Sequence, residues 1–174
     1  MSDFRSDPAQ AASELFLYRL SRLQAVAVAP VGRLCQARYG ISRREWRLIV
    51  MLARHAPMLS SELADLAQLD RARTSRIITA LAGKKLIARV VIPSDRRQAR
   101  VSLTEAGRAL YDEFLPVVVE LNRQLLLALE PDEVAQLDAL VQRLAERARA
   151  NLEALDLPKL DRSRAAARRS ARAV

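Results

Sequence analysis

Arg71, Arg73, Thr74, Ser75 and Arg76 stand within six consecutive positions, and no acidic residue occurs between Asp70 and Asp95. Guanidinium forks pair with phosphate oxygens or with the acceptor edge of guanine, and hydroxyls donate to phosphates or base edges. Such a cluster has the chemistry to grip a polyanion rather than to make or break bonds. A second cationic pair, Arg96 and Arg97, follows within the segment Pro93-Ser-Asp-Arg-Arg-Gln98. Asp95 is placed to orient one of these arginines through a bidentate pair.

The charge distribution sharpens this reading. The chain has 174 residues and a formal net charge of +9. Residues 71–100 hold nine Lys/Arg against one Asp, for +8, while residues 101–157 hold five against eleven acids, for −6. Residues 158–174 hold six against one, for +5. A concentrated basic segment, unlike a uniformly basic surface, points to a polyanionic partner. No nucleophile–base pair, phosphate-binding loop or metal cluster is present, so an enzyme is not expected. One Cys and one His give no zinc site, and no cofactor is expected. No apolar run of about 18 residues indicates a membrane span. The first residues lack the order of a secretory leader, and a lone cysteine agrees with a reducing cytoplasm.

The elements that must position these residues are mostly helices, since Ala, Leu and Arg dominate and the chain has only 4 Gly. Residues 9–29 have helical spacing of Leu15, Phe16, Tyr18, Leu20, Leu23 and Val26, too many for one thin stripe. Pro30 breaks or kinks that pattern, which resumes through Val31, Leu34 and Cys35 until Tyr39-Gly40 ends it. Ser42 and Glu45 have capping-box spacing, so a helix follows to about His55. Ser60 is placed to cap a short helix over 61–67, and Asp70 a second helix from Arg71 to about Lys84.

From Ile87 the pattern changes. Residues 87–92 are rich in β-branched side chains, and 99–103 alternate polar with apolar. Between them 93–98 supply turn residues, so a two-stranded hairpin with a charged tip is predicted. Thr104 then caps a long helix to about Leu129, with Pro116 inside. Pro131 opens a last helix, whose Val134, Leu137, Leu140, Val141 and Leu144 mark one face. Residues 160–174 read as disordered.

A short helix, a tight turn, a second helix and a charged hairpin make a winged helix-turn-helix. The second helix would enter the major groove of double-stranded DNA, with Ser60 and Ser61 at the start of the first helix as further contacts. Arg96 or Arg97 at the wing tip suits a narrow minor groove, whose negative potential favours an inserted arginine.

The sequence resembles the multiple-antibiotic-resistance regulators (MarR family). The matching stretches are Ser-Glu-Leu-Ala at 61–64, Leu-Asp-Arg-Ala-Arg-Thr-Ser-Arg at 69–76, Pro-Ser-Asp-Arg-Arg at 93–97 and Val-Ser-Leu-Thr-Glu-Ala-Gly-Arg at 101–108. Pro-Asp-Glu at 131–133 is also similar, and the resemblance covers about residues 10–155. It implies a mainly α fold with a two-stranded β wing: an N-terminal dimerisation region over 9–41, a DNA-binding lobe over 42–104 and C-terminal dimerisation helices over 105–157. A basic tail over 158–174 follows. It also implies a homodimer on a pseudo-palindromic operator, a repressor released by a small effector, and operator contacts from Arg73, Thr74, Ser75 and Arg76. The family places Gly where this chain has Lys85, so the preceding helix must be capped under strain or with a shifted boundary.

For the effector, phenolic or aromatic acids are frequent in similar proteins. Arg19 and Arg22 are spaced to grip a carboxylate, and Trp46, His55 and Tyr111 could stack or hydrogen-bond. Taken singly, Trp46 reads rather as core and His55 as a helix-dipole partner. Cys35 admits two readings, an oxidant sensor or a small buried apolar residue. The arginines of the tail either add phosphate contacts or form an inert extension. A non-specific architectural DNA binder is the remaining alternative.

Overall fold

The computed structural model describes residues 14–92 and 95–155, without the side chains at 96 and 97. Helix α1 spans Phe16–Ala27 and α2 spans Ala29–Tyr39. The first positions of the helix predicted over 9–29 lie outside the described residues, and α1 covers most of the rest. The break falls at Val28, and Pro30 sits in the first turn of α2, where no backbone donor is required. Gly40 ends α2 with φ 60°, a left-handed conformation that costs glycine nothing. Helix α3 covers Arg43–His55, and its capping box is formed. The Ser42 amide donates to Glu45 Oε2 at 2.6 Å, and the Glu45 amide donates to Ser42 Oγ at 3.2 Å.

Strand β1, Met58–Leu59, follows Pro57 and leads into α4, Ser60–Ala67. The cap here departs from expectation. Leu59 is the N-cap residue, and its amide donates to Glu62 Oε2 at 2.7 Å. Ser60 lies inside the helix, and its hydroxyl instead donates to the Ala99 carbonyl at 3.1 Å. The chain turns through Gln68 at φ 52° into α5, Arg71–Gly83. Asp70 caps α5 as predicted, accepting the Arg73 amide at 2.7 Å.

Strands β2, Ile87–Ile92, and β3, Asp95–Leu103, form the antiparallel wing. The sheet has three strands rather than two, in the order β1-β3-β2. Met58 and Leu59 pair with Val101 and Arg100, using the edge of β3 that the hairpin leaves open. A two-residue strand carries no alternation, so its pattern is silent in the sequence. Residues 95–98, predicted as turn, belong to β3. Val91 pairs with Ala99 and Ile92 with Asp95, so 96–98 bulge out of the ladder.

Helix α6 runs Glu105–Leu126, ending short of Leu129, and carries Pro116 within it. Thr104 Oγ1 accepts the Gly107 amide at 3.1 Å and donates to the Lys85 carbonyl at 2.7 Å. Helix α7, Pro131–Ala154, belongs to a separate compact unit that starts at Leu127. Within that unit Leu137, Leu140, Val141 and Leu144 are all exposed.

The core of the first unit draws on α2 to α6 and β3. Cys35, Ile41, Leu48, Ile49, Leu52, Leu63, Leu81, Val101 and Phe114 are fully buried. Trp46 stacks on Tyr111 at 5.9 Å between ring centroids and meets Phe114 edge-on at 4.8 Å, which binds α6 to α3. By contrast, Leu15, Phe16, Leu17, Tyr18, Leu20, Leu23 and Val26 of the α1 region are all exposed. Among the described residues no helix is long and apolar enough to cross a membrane.

Candidate nucleic-acid interface

Helix α5 has two faces with opposite duties. Thr74, Ile78 and Leu81 are buried at spacings of four and three, which fixes the inner face against the core. Arg71, Arg73, Ser75 and Arg76 are exposed on the remainder. Burying three residues of a thirteen-residue helix leaves its cations in water, where a charge costs little to keep.

The five positions predicted to act together are divided by this arrangement. Arg71 and Ser75, four apart, line a groove of about 610 Å³ on the wing side, with Ser61, Arg89 and Gln98. Arg73 and Arg76, three apart, line a second groove of about 450 Å³ on the α3 side, with Ser42 and Arg44. Thr74 joins neither. It is 1% exposed and its hydroxyl donates to the Asp70 carbonyl at 3.1 Å, so its prediction as an operator contact is corrected to a structural role. A threonine among arginines looks like a contact in sequence, but the helical phase turns it inward.

Asp70 does more than cap the helix. Its carboxylate lies 3.8 Å from the Arg73 Nε, and both side chains are about half exposed, so the pair orients more than it stabilises. Ser60, predicted as a DNA contact, lines the wing-side groove, but its proton is engaged with Ala99. It acts as a strut between α4 and β3. Ser61 lines the same groove half-exposed.

Arg96 and Arg97 lie on the bulged part of β3, and their side chains lie outside the description. The predicted pairing of Asp95 with one of them lies there too. Asp95 does accept Gln98 Nε2 at 2.9 Å. Arg89 was missed in the sequence. It sits on β2, exposed and facing the groove that also holds Arg71, and the signal was its charge within an otherwise apolar strand.

The predicted effector residues do not form one cluster. Trp46 is 5% exposed and stacked on Tyr111, so its ring belongs to the core. Arg108 covers the outer face of Tyr111, 5.5 Å from its ring centre. His55 is exposed at the last position of α3, and Arg19 and Arg22 are exposed on α1. Cys35 is fully buried, and burial pushes its thiol up to about 11. A thiol held neutral is a poor oxidant target, which turns the sensor reading of Cys35 into that of a core residue.

Comparison with known proteins gives a consistent picture. A family model described as the MarR family matches residues 39–98, the span from the end of α2 into the wing. The homoprotocatechuate degradative operon repressor of Escherichia coli is 28% identical over 105 residues, covering 60% of this chain and 71% of the repressor. A MarR/EmrR family transcriptional regulator from Acinetobacter sp. ADP1 superposes with a TM-score of 0.69 at 26% identity, over 83% of this chain and 99% of the other. A probable transcriptional regulator from Pseudomonas aeruginosa gives a TM-score of 0.64 at 28% identity, over 76% and 98%.

Proposed function

We propose, for a chain that belongs to the MarR family of winged-helix transcriptional regulators, that it acts as a dimeric repressor on a pseudo-palindromic operator. The observation that carries this reading is the exposed ridge of α5, where Arg71, Arg73, Ser75 and Arg76 project between two grooves while Thr74, Ile78 and Leu81 anchor the helix behind them. In this reading α5 enters the major groove, Arg71 with Arg89 and Ser61 holds backbone phosphates on the wing side, and Arg96 or Arg97 reaches the adjacent minor groove.

A partner copy is supported by the apolar residues left in water. Leu17, Leu20, Leu23 and Val26 on α1, and Leu137, Leu140, Val141 and Leu144 on α7, are each left exposed along their helices, as residues that a partner copy would cover are. Pairing through the regions 9–41 and 105–157 would set two α5 helices about one DNA turn, roughly 34–36 Å, apart. A small effector that favours a different spacing weakens DNA binding by the factor by which DNA weakens effector binding. Similarity to a repressor named for homoprotocatechuate degradation supports an aromatic carboxylate as that effector.

The test begins with a random duplex library. The protein is expected to enrich one palindrome and to prefer it over its scrambled version by a large factor at physiological salt. Equal binding to both would replace this reading by a non-specific architectural binder. A thermal-shift screen with aromatic carboxylates then reads the effector through ligand-induced stabilisation. A hit is expected to release the enriched duplex; no shift with any of them rejects that ligand class.

A further inference from the structure

We infer that Lys84 and Glu45 form a clasp that sets the tilt of α5 on DNA, so that both are positioning residues and neither is a DNA contact. The inference rests on the reading of α5 as the recognition helix. By charge alone Lys84 counts among the nine cations of the basic segment. Its ammonium points the other way. Lys84 Nζ donates to the Gly40 carbonyl at 2.8 Å and to Glu45 Oε1 at 2.7 Å. Glu45 is only 7% exposed, and its second oxygen takes the Ser42 amide at 2.6 Å.

Three elements meet at that ammonium. Gly40 is the left-handed cap that ends α2, Ser42 and Glu45 form the capping box that begins α3, and Lys84 is the C-cap of α5. Burial alone would raise the Glu45 carboxyl. The hydrogen bonds from Lys84 and Ser42, together with the Lys84 charge, more than offset it and hold the group below its usual range. The carboxylate is therefore ionised when the clasp is closed.

The clasped end and the reading end lie at opposite ends of the helix. Thirteen residues span about 20 Å. A tilt of about 5° pivoting at Lys84 moves the backbone at Arg71 and Arg73 by about 1.5 Å. That displacement is large against the few tenths of an ångström that separate a good hydrogen bond from none. The groove that contains Glu45 also contains Arg73 and Arg76, so the anchor and the two arginines border the same space.

The experiment uses the full chain and the duplex that the unmodified protein enriches from a random library, titrated at several salt concentrations. Lys84→Met and Glu45→Gln are each expected to weaken binding about tenfold, and the double variant no further, because coupled residues are not additive. The slope of log affinity against log salt should not change. Lys84→Arg should recover most of the loss, since a guanidinium reaches the same two oxygens. A direct phosphate contact by Lys84 would instead lower the slope by about 0.9 and leave Glu45→Gln harmless, overturning the inference. Unchanged affinity in variants that merely melt earlier would overturn it as well. If the unmodified protein enriches no duplex, the reading of α5 itself fails and the clasp loses its function with it.

Discussion

The carbonyl of Leu86 occupies the space that a side chain on residue 107 would need. A β-carbon built on Gly107 would overlap the Leu86 oxygen and stand 3.4 Å from Leu103 Cδ2. That carbonyl also accepts the Thr104 amide at 3.1 Å, so it is held in place from the second side. The bare face of Gly107 lets α6 begin directly against the base of the wing. The tight contacts are with the Leu86 carbonyl oxygen and carbon, backbone atoms with no flexible end that can yield.

Gly107→Ala should therefore destabilise the fold despite the higher helix propensity of alanine. Overpacking of this kind costs about 1–3 kcal/mol, and a backbone obstacle belongs at the upper end. Urea denaturation should show a lower midpoint at unchanged slope. A variant as stable as the parent would show that the junction of α6 with the wing can relax freely.

Lys85 presents the converse case. It adopts φ 59° at the end of α5, where its amide donates to Ala82 O at 2.9 Å and the Leu86 amide to Leu81 O at 3.0 Å. This is a Schellman cap with lysine in the place that glycine usually takes. Lys85→Gly is expected to stabilise by about 0.5–1 kcal/mol, the relief of left-handed strain less the added freedom of the unfolded chain. Thermal unfolding checks it, and a lowered midpoint would mean that the lysine side chain contributes more than the strain costs.

Buried Cys35, with its thiol pushed up to about 11, should resist disulfide reagents at pH 7–8 in the native state and react promptly once unfolded. The sign of the linkage follows. The folded state holds the thiol proton more tightly than the unfolded chain, so this stabilising contribution is complete below the ordinary thiol range and fades as pH rises toward 11. Native labelling at neutral pH as fast as that of a free thiol would contradict the assignment of Cys35 to the core.

Much of this architecture was legible because local chemistry and tertiary packing agree. Ser42 with Glu45, Asp70 before α5 and Thr104 before α6 each announce a helix start and each forms its cap. Failures came where packing decided. Ser60 has the residue type of an N-cap, yet Leu59 takes that position because β1 pairs with β3 and draws the serine hydroxyl to Ala99. Thr74 reads as a contact until the phase of α5 turns it inward. Lys84 reads as one more cation until Gly40 and Glu45, distant in sequence, claim it. Charge type is written in a sequence, but the direction in which a side chain points is set by the elements packed around it.

Whether the exposed arginines of α5 read DNA is measured by the affinity of Arg73→Ala and Arg76→Ala for the enriched duplex, beside its scrambled version, across a salt series. At least one substitution is expected to narrow the preference for the enriched sequence by about 1–3 kcal/mol at its base pair. A substitution that removes only a phosphate contact should weaken both duplexes alike and reduce the salt slope by about one. If both variants bind both duplexes as the parent does, with the same slope, α5 is not the recognition helix.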